Sequence, residues 1–216
     1  MKFKAILAAT VFAASVIAVP ASATTITFDD LDLTSGVAGP LPSNYAGFAW
    51  NNIYGLDAVT FKLNGTSGYD KGLVSGRNVA FVLDSSTGTM SSATPFTFNG
   101  GYFTAAWNNN MTLTIAGLVN GVQTFTDSFI IDQTGPVQKT YNWSGLTSVT
   151  FRSSGGVNAG LFGGGTHVAI DNLSINATPA VPEPATWAMM ILGMGAVGFA
   201  MRRSRKSKVN TTVSFA

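Results

Sequence analysis

The chain has 216 residues, 46% apolar and 10% charged, with no cysteine and a formal net charge of +2. The missing cysteines exclude disulfides, thiol chemistry and thiolate metal sites. Seven of the 12 Lys and Arg lie in the two ends, so residues 24–181 hold five cations against nine Asp, a net charge of −4 that excludes a clustered basic face for nucleic acid.

Met1 to Ala23 reads as a secretory signal peptide. Lys2 and Lys4 form its positive start, Ala5 to Val19 its apolar core, and Ala21-Ser22-Ala23 a small-residue cleavage site after Pro20. The mature chain is then expected to begin near Thr24, and a retained anchor helix is the alternative.

Residues 24–175 read as one domain, long enough to bury roughly two-thirds of its surface without staples. This body is rich in Gly, Thr, Ser, Asn, Phe and Val and contains no Glu, which favours strands over long helices. In Met111 to Ile115 apolar and Thr residues alternate, as on a half-buried strand. Asn120-Gly121 then turns the chain, and Gln123 to Ile131 returns with Phe125, Phe129 and Ile131 on one face.

Further strand candidates are Thr25 to Phe28, Phe48 to Trp50, Val59 to Leu63, Asn78 to Leu83, Phe96 to Phe98 and Tyr102 to Trp107. Val137 to Trp143, Val149 to Arg152 and Val168 to Ile175 complete the set. Turn clusters such as Ser85 to Gly88 and Asn99 to Gly101 separate them. Many short strands without a fixed-period repeat predict an all-β antiparallel sandwich, jelly-roll-like.

The two ends of the body carry its acidic motifs. The first strand leads into Asp29, Asp30 and Asp32, and the last contains Asp171-Asn172. Val168 and Ile170 share one parity of that last strand while Leu173 and Ile175 share the other. Either a bulge re-registers the strand at Asp171-Asn172, or Asp171 points inward, where a carboxylate needs a partner such as a hard cation. These motifs loosely resemble extracellular jelly-roll domains of the carbohydrate-binding-module kind. The resemblance implies first and last strands side by side and a structural calcium at Asp29 or Asp30 with Asp171; the alternative is bonding of these carboxylates to local backbone amides.

Catalysis finds little support. Glu183 is the only Glu and His167 the only His, no GxSxG elbow occurs, and a multi-histidine zinc site is excluded. A lone His beside glycines is read as hydrogen-bonded or exposed. Trp50, Tyr54, Tyr69, Tyr102, Trp107, Tyr141 and Trp143 are candidates for stacking on sugar rings, Trp50, Tyr54 and Trp107 foremost, although most aromatics of a sandwich belong to its core.

After a linker, residues 176–181, the chain reads Pro182-Glu183-Pro184, then 17 uncharged residues from Ala185 to Met201, then Arg202, Arg203, Arg205, Lys206 and Lys208. As a helix the apolar run reaches about 25 Å, just enough to cross a bilayer, with Trp187 at one boundary and the cations as a cytoplasmic stop. The prolines hold the preceding chain extended and exposed. Gly193, Gly195 and Gly198 spell a dinucleotide-binding pattern without its strand, so helix packing explains them better.

From Val181 to about Lys208 this order resembles the PEP-CTERM sorting signal of Gram-negative bacteria, also catalogued under an ice-binding-protein C-terminal name; Trp187, Ala188, Met189 and Met190 look like one variety of it. The resemblance implies export by the secretion machinery, a transient hold in the inner membrane and cleavage near Pro182 to Pro184 by an exosortase. Release to the cell surface or the extracellular polysaccharide would follow. Residues 182–208 form the signal and 209–216 a short tail. The leading expectation is a non-catalytic surface or matrix protein, structural or glycan-binding. The alternatives are an Asp-dependent secreted hydrolase and an uncut membrane-anchored protein.

Overall fold

The computed structural model describes residues 23–33, 37–84 and 86–176 of the body, and 191–195, 197–199, 201, 202 and 214 near the C terminus. The signal-peptide, linker and Pro-Glu-Pro expectations lie outside the described residues, apart from Ala23 and Asn176. Two units divide the chain, Met1–Ala177 and Thr178–Ala216. In the second, residues 191–195, 197–199, 201 and 202 are helical. Among the described residues no helix is long and apolar enough to cross a membrane; residues 185–190, 196 and 200 of the expected span lie outside them.

The first unit is an all-antiparallel β-sandwich. Its strands are β1 (Thr24–Ile26), β2 (Ala38–Pro40), β3 (Ala49–Asn51), β4 (Ile53–Asp57), β5 (Asn78–Val82), β6 (Thr87–Ala105), β7 (Asn108–Val119), β8 (Val122–Ile131), β9 (Val137–Asn158) and β10 (Val168–Ile175). One hydrogen-bonded path, β2-β4-β5-β10-β6-β9-β7-β8, runs through both layers, with β1 beside β10 and β3 beside β6.

Two long strands make that continuity possible. The C-terminal half of β6 pairs with β10 and with the start of β9, while its N-terminal half pairs with β3 and the middle of β9. The rest of β9 pairs with β7. The strands are therefore longer than the short runs expected from sequence. At Asn99 to Gly101 the ladder shifts register instead of turning, with Gly100 at φ +118, a value only glycine adopts freely.

The alternation of β7 places Met111, Leu113 and Ile115 in the core, where they join Phe98, Phe103, Phe151 and Ile170. Asn120 and Gly121 take φ +50 and +80, the two positive values a tight hairpin turn requires, and β7 pairs with β8 as expected. β5 is buried on both faces: Ala80 and Val82 enter this core, and Val79 and Phe81 enter a second one with Tyr69, Trp107 and Ala169.

Part of that second core comes from a segment misread as a strand. Residues 58–64 form α1 (Ala58–Phe61) and a 3-10 turn, because Asp57 caps the helix by accepting the Thr60 N–H at 2.9 Å. Val59 and Leu63 alternate with Phe61, yet both are exposed. A second short helix, α2 (Gly68–Lys71), follows behind a capping box of Ser67 and Asp70.

Candidate functional site

The first and last strands do lie side by side, Thr24 opposite Ile175 and Ile26 opposite Leu173. On β10 the pairing with β6 shifts between Asp171 and Ser174, and Asn172 takes φ +49. This bulge turns both Ile170 and Leu173 into the main core. Asp171 is 1% exposed and accepts the N–H groups of Val74 at 2.7 Å, Ser75 at 3.0 Å and Asn172 at 2.7 Å. Burial pushes its carboxyl up to about 6, against the opposing pull of these amides.

Asp29 serves the same segment. It accepts the N–H of Arg77 at 2.7 Å and of Asn78 at 3.1 Å, and the Ser75 hydroxyl at 3.0 Å. Asp30 turns instead to the Tyr45 hydroxyl at 2.5 Å. The inward carboxylates thus find their partners in backbone amides from residues 74–78, distant in sequence. Among the described residues no three His, Cys, Asp or Glu side chains gather as a metal cage. These contacts match the alternative reading, carboxylates bonded to backbone amides; a calcium, which asks for six to eight oxygens, is tested by chelation.

The three foremost sugar-stacking candidates are not brought together. Trp107 is 5% exposed, enclosed by Phe61, Tyr69 and Phe162 with ring centroids 5.0–6.2 Å away, and it belongs to the second core. Tyr54 packs on Phe81 at 5.6 Å beside that core. Trp50 lies against the main one, with its Nε1 donating to the Tyr45 carbonyl at 2.9 Å. His167 is half-buried, its Nδ1 2.6 Å from the Tyr69 hydroxyl and its ring stacked on Phe81. Burial lowers its proton affinity, partly offset by Asp84.

Tyr141 and Trp143, candidates by sequence, join a seam whose charged pair, Asp127 and Lys139, sequence reasoning missed. β8 ends one layer and the first half of β9 ends the other, and there Lys139 meets Asp127 at 2.7 Å while the Tyr141 hydroxyl donates to Asp127 at 2.8 Å. The Lys139 ammonium and the Tyr141 hydroxyl hold the Asp127 carboxyl below the usual carboxylate range despite some burial. Phe125 stacks on Trp143 with planes 11° apart, and Lys139 Nζ sits 4.4 Å from the Phe129 ring centre. The period-two spacing of Phe125, Asp127 and Phe129, and of Lys139, Tyr141 and Trp143, was the available signal.

The opposite face of the β3-β6-β9-β7-β8 layer is open. Thr87, Arg152, Thr114 and Ser128 stand in one cross-strand row, each paired with the next. In the adjacent row Thr89 pairs with Thr150, and Thr126 follows beyond Ala116. Met90, Phe151, Leu113 and Ile115 occupy the alternate, buried positions of the same strands.

Residues 180–206 match the PEP-CTERM protein-sorting motif, so the chain carries an exosortase sorting tag, the mark of an exported, exosortase-processed protein. No curated protein matches the chain. Among solved structures it is similar to the carbohydrate-binding module TmCBM61, solved in complex with β-1,4-galactotriose. The identity is 8% over 59% of this chain and 86% of that one, with a TM-score of 0.35.

Proposed function

We propose that this chain is a non-catalytic protein of the cell surface or extracellular polysaccharide matrix, delivered there by its tag and acting through its sandwich as a structural or glycan-contacting module. The sorting motif at residues 180–206 carries this reading. The folded body ends close to it: Asn176 is tied to Thr97 by two bonds of 2.9 Å, leaving residues 177–181 before Pro182. The secretion machinery and an exosortase are the processing partners, and the inner membrane is a transient stop.

The body offers little for catalysis. Its one imidazole faces a tyrosine hydroxyl, and Asp29, Asp57, Asp127 and Asp171 are engaged by amides, hydroxyls or cations. Intact mass of the protein recovered from cells and medium tests the delivery. Loss of the N-terminal 23 residues and of everything beyond the Pro-Glu-Pro region supports the reading; a cytosolic chain with both ends complete rejects it.

A further inference from the structure

Four of the body's five cations have partners. Lys62 pairs with Asp70 at 3.2 Å, Arg77 with Asp57 at 2.6 Å and Lys139 with Asp127 at 2.7 Å, and Lys71 donates to Gln133 at 3.0 Å. Arg152 is different. Its side chain is exposed and has no ion-pair partner among the described residues. It stands at mid-sheet, with Thr87 on one neighbouring strand and Thr114 on the other. The Thr114 hydroxyl is itself 2.8 Å from that of Ser128.

We infer that this row is a binding site for a carboxylated polysaccharide, with the Arg152 guanidinium gripping a sugar carboxylate and the flanking Thr87 and Thr114 hydroxyls meeting ring hydroxyls. The planar guanidinium fork matches a carboxylate with two parallel N–H···O bonds. Hydroxyls spaced about 4.8 Å across strands and about 6.8 Å along them both donate and accept, as a polyol chain requires. One cation is too few for a nucleic acid or an anionic membrane, both of which need clustered charge. A neutral polymer would leave the guanidinium without a counter-charge. The inference rests on the surface location proposed above and names the ligand class.

Affinity electrophoresis of the full chain, in its mature form, through gels containing polygalacturonate or neutral dextran tests it. Polygalacturonate retards the protein, more weakly as salt rises. Arg152→Gln weakens that binding about tenfold or more, Arg152→Lys and Thr114→Val by smaller factors, and Lys62→Gln leaves it unchanged. The site is overturned if Arg152→Gln is retarded like the parent, if Lys62→Gln loses as much, or if dextran retards the parent equally. Intact mass of the same preparations reports processing separately, so a failure of binding and a failure of sorting are distinguished.

Discussion

Asp29 and Asp171, at opposite ends of the body, meet on Ser75: its hydroxyl lies 3.0 Å from Asp29 and its N–H 3.0 Å from Asp171. The first strand, the last strand and the helical excursion between β4 and β5 are thereby tied at one point. The N–H groups of Val74, Ser75, Arg77 and Asn78 donate to these two carboxylates, which makes the knot a stability element of the sandwich.

Asp171→Ala removes the buried acceptor of the Val74 and Ser75 N–H groups and lowers unfolding stability by about 3 kcal/mol, with a smaller loss for Asp171→Asn, which keeps one acceptor oxygen. Urea denaturation measures both. Since amides occupy the carboxylates, chelation of calcium leaves the melting temperature of the parent where it was; a large fall would restore the cation.

Trp107→Ala acts on folding. With the side chain 5% exposed among the rings of Phe61, Tyr69 and Phe162, the variant loses about 4 kcal/mol of stability. A variant that melted like the parent yet lost glycan affinity would return Trp107 to the binding surface.

His167 makes stability depend on pH. Its folded proton affinity is lowered by burial, so the unfolded chain binds the proton first; the contribution is full above the unfolded value near 6.5 and is lost as pH falls below it. Asp171 has the opposite sign: its folded value of about 6 exceeds the ordinary carboxyl value of 3.8, so its contribution falls as pH rises between them. Comparing the parent with His167→Gln from pH 7.5 to 5 isolates the histidine. The difference in stability should shrink toward acid, and a constant difference contradicts the assignment.

At the seam, Lys139→Met and Asp127→Asn each cost about 1 kcal/mol, because the pair is only partly shielded from water. A double-mutant cycle measures the coupling. Coupling near zero would mean that the stacked Phe125 and Trp143 close this edge by themselves.

Much of the fold was legible because local chemistry and tertiary outcome agree. Asn120-Gly121 supplies the positive φ values of a hairpin, and the parity switch at Asp171-Asn172 marks a bulge. The same logic failed at Val59 to Leu63, where alternation suggested a strand but Asp57 capped a helix. At Asn99 to Gly101 glycines that end strands elsewhere let one strand bend and continue.

By itself the sequence determined what is covalent and periodic: a proline-marked tag ahead of an apolar run and a basic stop, and an alternating, cysteine-free body that can only be a sheet protein. Only the tertiary structure decided what each isolated polar or aromatic residue does. It gave Asp29 and Asp171 to amides, Trp107 to a core, and left Arg152 exposed among hydroxyls. The reason is that a side chain's partners come from strands distant in sequence, and register, which no single strand encodes, determines which of them meet.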